Sequence, residues 1–198
     1  MRKLEGKVAL VTGASRGIGA AIAERLAADG ASVVVNYVKA EREAEAVAER
    51  ARRAGVRALT ARADIGDPAQ ATRLVADTVR RMGRLDILVN NAVMINLEPM
   101  GAIDPARIRA QFATNVEGVI ATVQAALAHL PGDGGRVINV SFPGGEPRLA
   151  GGDRLCSDKG RARCDDPRVG EGARAEGRHR ERRRSRPGRD GRLSNERR

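Results

Sequence analysis

Thr12-Gly13-Ala14-Ser15-Arg16-Gly17-Ile18-Gly19 is the stretch whose reading decides the fold of this chain. Before it runs Val8 to Thr12, a short apolar segment of the kind that forms a buried parallel strand. After it Ile18, Ile22 and Leu26 recur every fourth residue, one stripe of a helix that stops near Gly30. Glycine is required where a chain turns tightly and where backbone must come close to a pyrophosphate. The helix N-terminus that follows offers free N–H groups and the positive end of a dipole. A plain strand–helix turn can look similar, but the strand–turn–helix context favours a nucleotide site.

Outward from that turn, strand-like and helix-like segments alternate. Ser32 to Asn36 reads as a second strand, and Ala40, Ala44, Val47, Ala48 and Ala51 as a helical stripe closed by Gly55. Val56 to Ala63 reads as a third strand. Asp67-Pro68 caps a helix carrying Leu74, Val75, Thr78, Val79 and Met82 inward as far as Gly83. Leu85 to Asn90 is a fourth strand. Asp104-Pro105 opens a long helix expected to turn Ile108, Phe112, Val116, Val119, Val123 and Leu127 inward, and Gly135 to Val140 is a fifth strand. This order predicts an α/β fold, a doubly wound parallel sheet with helices on both faces.

After Ala150 the pattern stops, which divides the chain into a nucleotide-binding domain over 1–150 and a tail over 151–198. The last 48 residues hold only eight of the apolar set, against sixteen Lys and Arg and nine Asp and Glu. Such a segment buries too little apolar surface to offset its ordering entropy, so disorder is expected. The net charge of +11 is therefore mostly the tail's, where it amounts to +7. Arg182-Arg183-Arg184 suggests nucleic-acid binding, but without interleaved aromatics a solvated run is preferred. With no signal peptide, no long apolar run, and two cysteines (Cys156 and Cys164) that form neither a disulfide nor a metal framework, a cytoplasmic protein without membrane or metal is expected.

Four motifs in order, the glycine turn, Ala63-Asp64-Ile65, Asn90-Asn91-Ala92 and Asn115-Val116, resemble those of the short-chain dehydrogenase/reductases. More narrowly they look like the ketoacyl-carrier-protein reductases. The resemblance spans residues 4 to about 150 and implies a Rossmann-like fold, left incomplete by the tail, and an oxidoreductase. Such an enzyme interconverts a small-molecule keto group and an alcohol by hydride transfer and is commonly a homo-oligomer. It also implies that Gly13, Ser15, Gly17, Ile18 and Gly19 line the pyrophosphate and nicotinamide side. Asp64 and Ile65 would then meet adenine, and Asn91 and Ala92 would flank the ribose. Plainer roles stand beside these: Asp64 as a turn residue, and Asn90-Asn91 as a tie between backbones. Val93 replaces the family's glycine and would crowd the cofactor. NADP is favoured over NAD, because Asn36-Tyr37 stands where an acidic residue would repel a 2′-phosphate. Arg16 is positioned in sequence to pair with that phosphate, the alternative being a solvated side chain.

Carbonyl reduction needs a proton donor, a polarising group and a cation. By resemblance Asn115 matches the family's water-holding Asn and Lys159 falls at the Lys position. The Tyr position is Leu155 and the Ser position Phe142, neither of which carries the required group. Ser141 is one residue early and alternates to the other face of the strand. Cys156 and Ser157 are the nearest substitutes, but no amphipathic helix is encoded around them. A frame change explains the break: read one nucleotide on, codons allowed for Asp153 to Lys159 spell T-A-Y-A-A-T-K, the start of the family's catalytic helix. The leading reading is thus a family oxidoreductase impaired in this chain. The alternatives are a non-catalytic NADP-binding protein and a nucleic-acid binder acting through the tail.

Overall fold

A computed structural model describes residues 2–141. Its order is β1 (Val8–Val11), α1 (Gly17–Ala28), β2 (Ser32–Tyr37), α2 (Glu41–Arg53), β3 (Ala58–Arg62), α3 (Pro68–Met82) and β4 (Ile87–Asn90). There follow a 3-10 turn (Met100–Ala102), α4 (Pro105–Phe112), a π turn (Ala113–Glu117), α5 (Gly118–Leu127) and β5 (Arg136–Asn139). The five strands form one parallel sheet in the order β3-β2-β1-β4-β5.

Strand alternation builds two cores. Ala9, Val11, Val33, Val35, Ile87 and Val89 meet the alanine-rich faces of α1 and α2. Val8, Leu10, Val34 and Leu88 face the other way, toward Leu74 and Val75 of α3 and Ala126 of α5. Both faces of the central strands β1, β2 and β4 are covered, so these read as apolar runs, while edge strand β5 leaves Ile138 exposed. The small alanines let α1 and α2 lie close to the sheet, which is how a core nearly free of aromatics still fills. Asp67 caps α3, its carboxylate accepting from Ala69 and Gln70 N–H, and Gly83 closes that helix with φ of +89°.

Edge strand β3 is blunted by arginines. Arg52 Nε donates to the Ala58 carbonyl and Arg81 to that of Thr60, both facing away from β2. Two expected helical stripes need correction. Ile18 is 66% exposed, while Ile22 and Leu26 pack half-buried against the core beside the buried Gly19, Ala20, Ala23 and Ala27. Phe112 and Leu127 are each 41% exposed, because the inward face of the long helical segment is Gln111, Thr114, Asn115, Val119, Thr122 and Ala126. Gln111, Asn115, Val119, Thr122 and Ala126 recur at regular helical spacing, and apart from Val119 each lies one position before its counterpart in the expected stripe. The tail 151–198 lies outside the described residues. Among those described, no helix is long and apolar enough to cross a membrane.

Candidate nucleotide site at the sheet's switch point

The strand order reverses between β1 and β4, and crevices at the carboxyl ends of such strands are where open α/β sheets take ligands. The glycine turn and the loop after β4 meet there, stitched by Thr12. Thr12 N–H donates to the Val89 carbonyl at 3.0 Å, while its Oγ1 accepts from Asn91 N–H at 3.0 Å and Ala92 N–H at 3.1 Å. Asn91 Nδ2 donates to the carbonyls of Thr12 and Gly13, both at 3.0 Å. The plainer role of Asn91, tying backbones together, is therefore present in the structure.

The three glycines have separate causes. Gly13 has φ of +61°, and a Cβ on it would lie 2.8 Å from the Ala92 Cα. A Cβ on Gly19 would collide with Asn91 Nδ2 and with the Gly13 carbonyl. Gly17 has φ of +59° but open space above it. Gly13 and Gly19 thus keep the protein's own segments together, and Gly17 leaves the mouth open.

Asn36 is fully buried, and its bonds point inward. Its Oδ1 accepts from Gly13 N–H at 3.1 Å and its Nδ2 donates to the Ala61 and Ala63 carbonyls at 3.2 and 3.0 Å. It supports the turn from beneath. Tyr37 is also buried, and burial, then the neighbouring Glu41 carboxylate, push its phenol up, so it stays protonated at neutral pH. The cations at this end are exposed: neither Arg16 nor Lys39 makes a side-chain hydrogen bond or ion pair among the described residues. Arg16 is also the N-cap of α1, with no side chain capping that helix. An uncapped helix start, an unpaired guanidinium and free space over Gly17 fit the phosphates of a dinucleotide. Ser15 sits half-buried in the same turn, with its hydroxyl unbonded among the described residues.

On the far side, Asp64 is exposed, its Oδ1 accepting from Gly66 N–H at 2.9 Å. Ile65 has its side chain in the core and its carbonyl against Gly118, where any Cβ would clash. Ala92 is half-buried beside Gly13. Val93, Met94, Ile95 and Leu97 expose apolar side chains at the mouth, so Val93 extends outward rather than packing inside.

Asn115 lies fully buried in the π turn. It grips Met94 at both ends, Oδ1 accepting from Met94 N–H at 2.9 Å and Nδ2 donating to the Met94 carbonyl at 2.8 Å. Ser141 is exposed just past β5, whose end is held by Val140 N–H donating to the Asn90 carbonyl. Phe142, Leu155, Cys156, Ser157 and Lys159 lie outside the described residues. The sequence reading missed Thr12, Lys39 and Gln111, and the linked trio Thr122, Asn90 and Asn139, of which the first two are buried and Asn139 is exposed. In that trio Thr122 Oγ1 donates to Asn90 Oδ1 and Asn90 Nδ2 donates to Asn139 Oδ1, both at 2.9 Å. Thr12 and Asn90 sit in quoted motifs and could have been singled out as polar residues inside apolar strands. Lys39 and Gln111 carried no such signal.

An uncharacterized oxidoreductase of Methylorubrum extorquens is 49% identical over 141 residues, covering 71% of this chain and 56% of that protein. Versicolorin reductase 1 of Aspergillus parasiticus is 42% identical over 139 residues, covering 70% of this chain and 53% of that protein. The crystal structure of a short chain dehydrogenase from Burkholderia cenocepacia J2315 in complex with NADP superposes with a TM-score of 0.70. It is 44% identical and covers 71% of this chain and 57% of that one. This chain thus spans little more than half the length of the proteins it matches. The sequence model of the short chain dehydrogenase family matches residues 7–159, and the chain belongs to that family.

Proposed function

We propose that residues 2–141 hold NADP for a keto–alcohol oxidoreduction, and that this chain, as its sequence stands, binds the dinucleotide without turning over substrate. The observation that carries the binding half is Arg16, an unpaired cation at the bare N-terminus of α1 at the switch point. The NADP complex of the Burkholderia cenocepacia relative, alike over 71% of this chain, supports the choice of dinucleotide. Bound there, NADPH supplies the hydride. Arg16 pairs with the 2′-phosphate, joined by Lys39, and no carboxylate stands at Asn36 or Tyr37 to repel it. Ser15, Gly17, Ile18 and Gly19 line the pyrophosphate and nicotinamide side. Asp64, Ile65, Asn91 and Ala92 border the adenosine half, and Asn115 holds the Met94 backbone beside the reacting end.

The missing half is chemical. Phe142 cannot polarise a carbonyl and Leu155 cannot donate a proton, whatever Lys159 or Ser141 contributes. A frame change in the coding sequence near Gly151 accounts for Leu155 and for the arginine-rich text after it, while Phe142 lies before the break. The chain is read as cytoplasmic and, like other family oxidoreductases, as forming homo-oligomers. Titration of the full chain with NADPH and NADH, followed by nicotinamide fluorescence, tests the binding. Saturable NADPH binding, at least tenfold tighter than NADH, with no oxidation of NADPH by an acetoacetyl ester, is expected. Failure to saturate, or steady turnover, overturns the corresponding half. Sequencing the coding DNA tests the frame change, because codons that cannot spell the catalytic helix one nucleotide on remove it. DNA binding that is salt-sensitive and lost with residues 151–198 would instead assign a role to the tail.

A further inference from the structure

The loop after β4 has no regular structure from Asn91 to Pro99, exposes aliphatic side chains, and yet is tied down residue by residue. Asn115 grips both backbone groups of Met94. Two residues on, Asn96 N–H donates to Gln111 Oε1 at 3.0 Å, and Asn96 Nδ2 donates to the Arg107 carbonyl at 3.0 Å. Arg107 pairs with Glu98, whose carboxylate also accepts from Asp104 N–H. The loop is thus laced to α4 and the π turn, with Met94 and Asn96 as fixed points and Ile95 between them facing solvent.

Gln111 is the costly member of this lacing. It is 5% exposed on the inward face of α4, one turn before Asn115. Its Nε2 donates to nothing among the described residues. An apolar side chain would fill that position without leaving a buried amide half satisfied. What only a residue such as Gln supplies is the acceptor for Asn96 N–H, a group that the irregular loop cannot satisfy within itself.

We propose that Gln111 is a positioning residue. With Asn115 it forms a two-point clamp that fixes Met94 and Asn96, and so sets where Val93 and Ile95 stand at the nicotinamide end of the site. The inference rests on the proposed NADP site for its consequence, but not for the clamp itself.

Amide hydrogen exchange on the full chain, read residue by residue, is paired with NADPH titration for Gln111→Leu, Gln111→Met and Gln111→Glu. The two apolar variants remove the acceptor, and the Glu variant keeps an oxygen in its place. We expect Leu and Met each to speed exchange at Asn96 at least tenfold and to weaken NADPH binding threefold or more, with exchange in β1 and β4 unchanged. Gln111→Glu restores both toward the parent values. Unchanged Asn96 exchange in either apolar variant that retains β1 protection overturns the clamp. Faster exchange with unaltered NADPH affinity, or no rescue by Glu, overturns the positioning role. If the parent chain does not bind NADPH, the proposed function fails while the exchange arm still decides the clamp.

Discussion

The two ends of the sheet treat charge in opposite ways. At the amino end Asp86 is fully buried just before β4, and every charge it meets is paired. It accepts from Val8 N–H at 2.9 Å, from Lys7 at 3.3 Å and from Arg84 through two nitrogens. At the carboxyl end Arg16 and Lys39 stand exposed and unpaired beside an uncapped helix. One end uses its charged groups to hold strands together, and the other leaves its two cations exposed to solvent. A charge satisfied within the fold contributes stability. An unsatisfied one, costing little because water reaches it, is available for binding.

The predictions follow from that contrast. The largest effect belongs to the seam under the open end. Gly19→Ala places a Cβ where Asn91 Nδ2 sits and should lower stability by about 3 kcal/mol, read from urea midpoints. Gly17→Ala, with positive φ but open space, should cost only about 1 kcal/mol. Similar losses for the two would mean the seam is looser than described.

Next is the closed end. Asp86→Ala strands Val8 N–H and should cost about 2–3 kcal/mol while leaving NADPH affinity within twofold. Burial acts to raise the Asp86 pKa, but the bonds from Arg84, Val8 and Lys7 outweigh it and hold the carboxyl below its ordinary value. A carboxylate depressed in the fold contributes its stability above the unfolded pKa of ~3.9 and loses it as pH falls through the lower folded value. The gap between parent and Asp86→Ala midpoints should therefore be constant from pH 7 to 5 and narrow below about pH 4. A gap that persists unchanged at pH 2.5 would place the effect in packing instead.

Smaller effects test the open end. Arg16→Ala should weaken NADPH roughly tenfold, about 1.4 kcal/mol, leave NADH unchanged, and hardly move the urea midpoint. Lys39→Ala should weaken NADPH about threefold, an effect that fades in high salt. If either loses stability instead of affinity, the two ends are not divided as proposed.

Much of this was legible in the chain. Buried parallel strands announce themselves as apolar runs such as Val8–Val11 and Ser32–Tyr37, because both faces are covered. The stripes of α2 and α3 were readable because regular helices keep their phase. The stripe over 108–127 was not, since its inward face carries the polar Gln111, Thr114, Asn115 and Thr122, and counting apolar residues alone put it one position late, onto the exposed Phe112 and Leu127. The motif residues were legible as a set, but their division of labour was not. Asn36 and Asn91 read as cofactor neighbours, yet their bonds run to the protein's own backbone. Lys39 and Gln111 carry no local signal, because an exposed Lys and a helical Gln are ordinary anywhere.

By itself the sequence determined the alternation of strands and helices, the glycine turn, and the absence of an acid at the end of β2. These follow from local spacing and residue chemistry, which a chain carries wherever it folds. Only the tertiary structure decided which glycines serve packing and which leave space, which amides face inward, and which cations go unpaired. Those depend on partners some 20 to 80 positions distant in the chain, such as Gly13 with Asn36 and Thr12 with Asn91, brought together only when β1 settles between β2 and β4.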